Sequence, residues 1–167
     1  MNSVAIFWMQ LVTSVVVFSA VAAWYAWPSL TKISRNNALT LLLFVNVPRY
    51  VGMTLLVVGM VGADIPIGFR SSAAYGDLLE AALAFISIFA LRRDWRFAVP
   101  LVWLTNTWGF VDLLNGVRGV VQLNVPRFNL GTFWYVYTFY APLVIVSHVM
   151  IFLVLVKSSS WKKEARR

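Results

Sequence analysis

Polar positions are scarce along this chain, and they divide it into five apolar runs at 4–27, 38–62, 72–91, 98–123 and 133–156. Each run is at or above the length of about 20 residues that a helix needs to cross the hydrocarbon core of a bilayer. The pattern therefore predicts an all-α protein, a five-helix transmembrane bundle forming one domain over residues 1–156. A short basic tail, 157–167, follows. The first run has no basic segment before it and is longer than the apolar part of a typical secretion signal, so it reads as a retained helix.

Within the runs the periodicity assigns faces. In the third, Ala73, Gly76, Asp77, Glu80, Ala84, Ser87 and Leu91 fall within an arc of roughly 100° on a helix, while Leu78, Leu79, Leu83, Phe85, Ile86 and Phe89 take the rest. That helix should turn a small, acidic face inward. In the fourth, Trp108, Asp112, Asn115 and Gly119 recur at helical spacing and share a face, with Arg118 at its edge and Asn106 well around from it. In the fifth, Tyr137, Val144 and His148 align. Pro28 should stop the first helix and Pro48 should kink the second, since proline has no N–H for the helical ladder. The loop 63–71, with Pro66 and Gly68, should separate the second helix from the third. Gln10 and Ser14 should offer hydrogen bonds to a neighbouring helix.

Composition strengthens the membrane reading. Of 167 residues, 60% are apolar and 12% charged, and the mean hydropathy is +0.78, outside the usual range of soluble domains. The formal charge of +8 could suggest nucleic acid, but its distribution points elsewhere. Lys32, Arg35, Arg92, Arg93, Arg96, Lys157, Lys162, Lys163, Arg166 and Arg167 all lie in one set of alternating connections, and only Arg70 and Arg127 in the other. By the positive-inside rule the N-terminus is then outside and the C-terminus cytoplasmic. Membrane lipids are the expected partners and nucleic acid is not.

Cysteine is absent and His148 is the single histidine, which excludes disulfides, thiolate catalysis, zinc–thiolate and iron–sulfur sites and any multi-histidine metal or haem arrangement within one chain. No nucleotide-binding loop or nucleophile motif is present. No cofactor or metal is expected. The small faces Gly52/Gly59 and Gly109/Gly116 suit homo-oligomerisation and internal packing equally well.

The candidate chemistry is the set of polar residues inside the spans: Asn46, Arg49, Asp77, Glu80, Asn106, Trp108, Asp112, Asn115, Arg118, Tyr137 and His148. Such groups are costly in hydrocarbon unless paired, and they mark sites and pathways often enough to be the first hypothesis. If helices 2, 3 and 4 adjoin, three carboxylates and two arginines converge, one carboxylate being in excess, with His148 below them. Three functions follow. Arg49 and Arg118 could clamp a small polar or amphiphilic molecule that the protein binds or transports. The polar groups could instead be interhelical glue in a structural or accessory subunit. Or Glu80 or Asp112 could serve as general acid or base on a lipid-like substrate.

The pieces Pro48-Arg49-Tyr50-Val51-Gly52, Ala74-Tyr75-Gly76-Asp77-Leu78, and Trp103-Leu104-Thr105-Asn106-Thr107-Trp108-Gly109 with Asp112-Leu113-Leu114-Asn115 resemble small uncharacterised bacterial multi-pass membrane proteins over most of the length. The resemblance implies an inner-membrane location and no particular chemistry.

Overall fold

The first helix, α1 (Ser3–Leu30), begins where Asn2 accepts a hydrogen bond from the N–H of Ala5 at 2.9 Å, a side-chain cap for an otherwise orphaned donor. It does not stop at Pro28. A π-helical turn, Ala22–Ala26, precedes the proline, and the N–H of Trp27 reaches the carbonyl of Ala22, five residues back. The widened turn lets the ring follow without striking the carbonyl four residues earlier, and the helix ends only at Leu30. The fifth helix repeats the device: the π-turn Val136–Tyr140, closed by the Ala141 N–H on Val136, directly precedes Pro142. This computed structural model describes residues 2–157, so the basic tail residues beyond Lys157 lie outside the described residues.

The second helix, α2 (Arg35–Leu56), is capped by Ser34, which accepts from the N–H of Asn37. At Pro48 it changes type rather than merely kinking. It is α-helical over Arg35–Phe44 and 3-10 over Val47–Leu56. Pro48 sits at the start of the 3-10 piece, where its missing N–H has no partner to lose. That piece ends six residues before the expected boundary at 62, because Val57 turns extended and Gly59 takes φ +83°, a conformation glycine adopts at little cost. The connection is thus 57–66 rather than 63–71, and residues 67–71 already belong to α3 (Ile67–Arg92). Helices α4 (Ala98–Gln122) and α5 (Phe133–Val156) match their expected spans within a residue.

The five helices make an all-α bundle, with no strand among the described residues. Helix α3 packs between α2 and α4, α5 packs against α2 and α4, and α1 lies outside on α5. Gln10 meets the expectation of an interhelical bond, accepting from Trp134 Nε1 at 2.7 Å. Four helices are long and apolar enough to cross a membrane, and α4, interrupted by its polar stretch, is not among them. On α3 the assigned face is observed: Glu80, Ala84, Ser87 and Leu91 are buried, while Leu78, Leu79, Phe85, Ile86 and Phe89 are exposed.

Buried apolar residues form two clusters. One, toward the end that carries Lys32 and Arg92, contains Leu39, Leu43, Ala84, Ile88, Val102 and Ile151. The other, toward the N-terminus, contains Phe7, Leu55, Ile65, Ala74, Val120 and Phe133. On α2, α3 and α4 alike, the buried polar residues Asn46, Arg49, Glu80, Thr105 and Asn106 fall between the residues that feed the two clusters. A polar layer therefore crosses the bundle.

Candidate functional site

The layer is built around one side chain. Arg49, 3% exposed, projects from the 3-10 part of α2. Its Nε donates to Asp77 Oδ1 at 2.7 Å, and Nη2 lies 2.7 Å from the same oxygen. Nη2 also donates to Asp112 Oδ2 at 2.6 Å. Nη1 donates to the carbonyl of Gly109 at 3.1 Å and faces His148 Nε2 at 3.4 Å. A guanidinium has five N–H hydrogens in a rigid fork. Four acceptors from α3, α4 and α5 occupy that fork, so Arg49 ties its own helix to three others and has no donor turned toward open space.

His148 continues the chain. With Nε2 accepting from Arg49, its proton belongs on Nδ1, which lies 2.8 Å from Asn106 Oδ1. The Asn106 amide in turn donates to the carbonyl of His148 at 3.2 Å. Asn106, whose direction had pointed away from the rest of the polar face, is thereby the group that orients the imidazole. Asn46 donates to Ser147 Oγ and to the carbonyl of Leu42, joining α2 to α5 one turn away. Besides Ser147, three partners in this layer were not among the expected residues. Ser87 and Thr105 share a hydrogen bond of 2.8 Å between α3 and α4. Tyr140 donates to the carbonyl of Val45 at 2.8 Å, at the point where α2 changes from α to 3-10 geometry and a carbonyl loses its helical partner. Replacing Tyr140 with Phe should lower stability by about 1 kcal/mol, the usual worth of one such bond, measured as a reduced melting temperature in detergent micelles.

Three glycines decide where the carboxyl groups sit. A Cβ on Gly52 would strike Asp77, one on Gly76 would strike Asp112, and one on Gly109 would strike the carboxyl of Glu80. Each acid of one helix thus lies on the bare Cα of a neighbouring helix, an approach that small residues alone allow. Glu80 is fully buried, and neither of its carboxyl oxygens has a hydrogen-bond partner among the described residues.

Above the layer, toward the N-terminal end, opens a cavity of about 400 Å³. Its floor is Arg49, Asp77 and Asp112, its walls include Phe7, Trp8, Phe69, Phe133, Tyr137 and Tyr140, and Asn115, Arg118 and Gln122 stand around it on α4. The two aspartates are 23% and 18% exposed. The Tyr137 ring lines this cavity, while its hydroxyl is buried and has no hydrogen-bond partner among the described residues.

The expected residues therefore divide. Arg49, Asp77, Asp112, Asn106 and His148 form one connected network, and Asn46 sits beside it. Tyr137, Asn115 and Arg118 belong to the cavity. Arg118 is exposed and joins neither ion pair, so the expected cluster of three carboxylates and two arginines becomes three carboxyl groups around one guanidinium. Glu80 is absent from the lining, which removes it from reach of a molecule held there. Trp108, 43% exposed, also lies off the cavity. His148 is not a separate deeper group, because the length of the arginine side chain brings it into contact.

The fold and site define a five-helix bundle with a buried arginine–carboxylate layer beneath an aromatic-walled cavity. The chain belongs to the family described as a domain of unknown function, DUF8737, which matches residues 6–156. Comparison with curated proteins and with solved structures found no match.

Proposed function

We propose that this is a multi-pass protein of the plasma membrane, of the bacterial inner-membrane type, that binds a small amphiphilic molecule in the N-terminal cavity, either to sense it or to carry it. The membrane reading is supported by the four long apolar helices and by the basic residues gathered at one end of the bundle, which by the positive-inside rule faces the cytoplasm. The observation that carries the binding reading is the cavity of about 400 Å³ itself, walled by aromatic rings and floored by two partly exposed aspartates. Apolar walls with a few convergent polar groups are the ordinary makeup of small-molecule sites.

Two experiments test it. The chain has no cysteine, so single cysteines report topology without background. Asp94→Cys should react with an impermeant maleimide only after the cells are opened, and Asn129→Cys should react in intact cells; the reverse pattern overturns the orientation. For binding, a library of small amphiphiles is screened by melting temperature on purified protein in micelles. Hits should lose at least about tenfold in affinity when Gly116, which lines the cavity and has open space before it, is replaced by a leucine that fills that space. The absence of any compound that raises the melting temperature would leave the second reading, a structural subunit held by interhelical glue. The complete engagement of the Arg49 fork favours that reading.

A further inference from the structure

The cavity's charge and its walls narrow the chemistry of what it holds. On its floor Asp77 and Asp112 share a single guanidinium. Two carboxyl groups thus face one arginine on the floor, and Glu80 adds a third behind Gly109. Arg49 cannot answer an incoming anion, because its N–H fork is turned to Asp77, Asp112, Gly109 and His148. It is also 3% exposed where the aspartates are 23% and 18%. A molecule entering the cavity thus meets a floor in which the aspartates are the more exposed groups and the N–H groups of Arg49 are already engaged. The free oxygens of the pair are Asp77 Oδ2, which packs on Gly52, and Asp112 Oδ1, which packs on Gly76.

The walls suit the same charge. Phe7, Tyr137 and Phe133 form an aromatic chain, tilted between Phe7 and Tyr137 with ring centroids 6.2 Å apart and edge-to-face between Phe133 and Tyr137 with centroids 5.2 Å apart. Aromatic faces attract cations and repel anions. Arg118, the one cation on the lining besides Arg49, stands six residues along α4 from Asp112, a rise of about 9 Å toward the rim.

We infer that the ligand is a protonated amine with an apolar body, its ammonium directed to the free edges of Asp77 and Asp112, and its hydrocarbon packed among Phe7, Trp8, Phe133 and the Tyr137 ring. This rests on the binding reading given above and assigns its chemical class. Carboxylates supply the charge, the aromatic walls supply cation–π attraction and apolar contact, and the volume admits a body of roughly one ring with a short chain.

A matched series separates charge from shape. Melting temperatures of the full chain in micelles of an uncharged detergent are measured against 4-phenylbutylamine, 4-phenylbutanol and 4-phenylbutyrate, which share a body and differ in head group. The amine should bind about tenfold more tightly than the alcohol, within the range of a cation–π contact joined to a carboxylate, and the carboxylic acid least tightly. Asp112→Asn should remove the preference for the amine. Because that variant disturbs the ion pair, the head-group series on the native chain carries the test by itself. Equal or tighter binding of 4-phenylbutyrate than of the amine would overturn the cation assignment while leaving the cavity a binding site. Failure of all three compounds, when other amphiphiles bind and are displaced by filling the cavity, overturns the assignment alone.

Discussion

Replacing Arg49 with methionine should prevent recovery of folded protein from micelles. The side chain holds two ion pairs, a backbone carbonyl and an imidazole, and removing one member of a buried ion pair costs on the order of 3–5 kcal/mol because its partners remain buried and uncompensated. That is a large part of the whole stability of a domain. Arg49→Lys should rescue little, since one ammonium cannot fill a four-acceptor fork. The triple change Arg49→Met, Asp77→Asn, Asp112→Asn should fold better than Arg49→Met alone, because it removes the charges along with their partner. The measurement is the monodisperse fraction on size-exclusion chromatography together with the melting temperature. Recovery of the single variant at the native level would show that the layer does not hold the bundle.

The second large effect is expected at Gly109. Its carbonyl accepts from Arg49 on one side, and on the other a Cβ would strike the Glu80 carboxyl. In a packed interior an added methyl that neighbours cannot evade costs about 1–3 kcal/mol. Glu80 has little freedom to move away, being fully buried between α3 and α4. Gly109→Ala should therefore lower the melting temperature strongly, and Glu80→Ala should relieve most of that loss by vacating the space. A double-mutant cycle on the pair should give a coupling of about 1 kcal/mol or more, as for residues in contact. Additive effects would mean that the carboxyl does not rest on this glycine.

These two positions show how far the sequence reveals the structure. Arg49 stood out because an arginine in an apolar run has few solutions, and its acidic partners could be named from the period of α3 and α4. The α3 face could be read because a helix with small and acidic residues on one side and Leu and Phe on the other has one way to bury itself. The α2 boundary could not. Val57 and Val58 are apolar, so hydropathy carries the helix past Leu56, whereas a positive φ at Gly59 is a property of the folded turn. Nor did Pro48 announce a 3-10 segment, since a missing N–H is compatible with a kink, a stop or a change of helix type. The three glycine–carboxylate contacts depend on which helices meet and at what height, and spacing along one helix holds no such information. Asn124-Val125-Pro126-Arg127 repeats the tetrapeptide at Asn46, and both copies form a 3-10 turn. Asn124 starts its copy in the left-handed region and Asn46 in the right-handed one, so the likeness is local.

Whether the N-terminal cavity is a site or a packing fault is tested most directly at Gly116. This glycine lines the cavity on α4, and a Cβ there meets nothing within 4 Å. Leucine at 116 should occupy the space without a clash and raise local helix propensity by about 1 kcal/mol. The measurement is the melting temperature of native and Gly116→Leu protein in micelles, each with and without 4-phenylbutylamine. The cavity account predicts that the variant alone melts at or above the native temperature and that the amine stabilises the native protein but not the variant. An equal rise in both would contradict it, whereas no rise in the native protein at saturating amine, while other amphiphiles still stabilise it, would overturn the amine assignment alone.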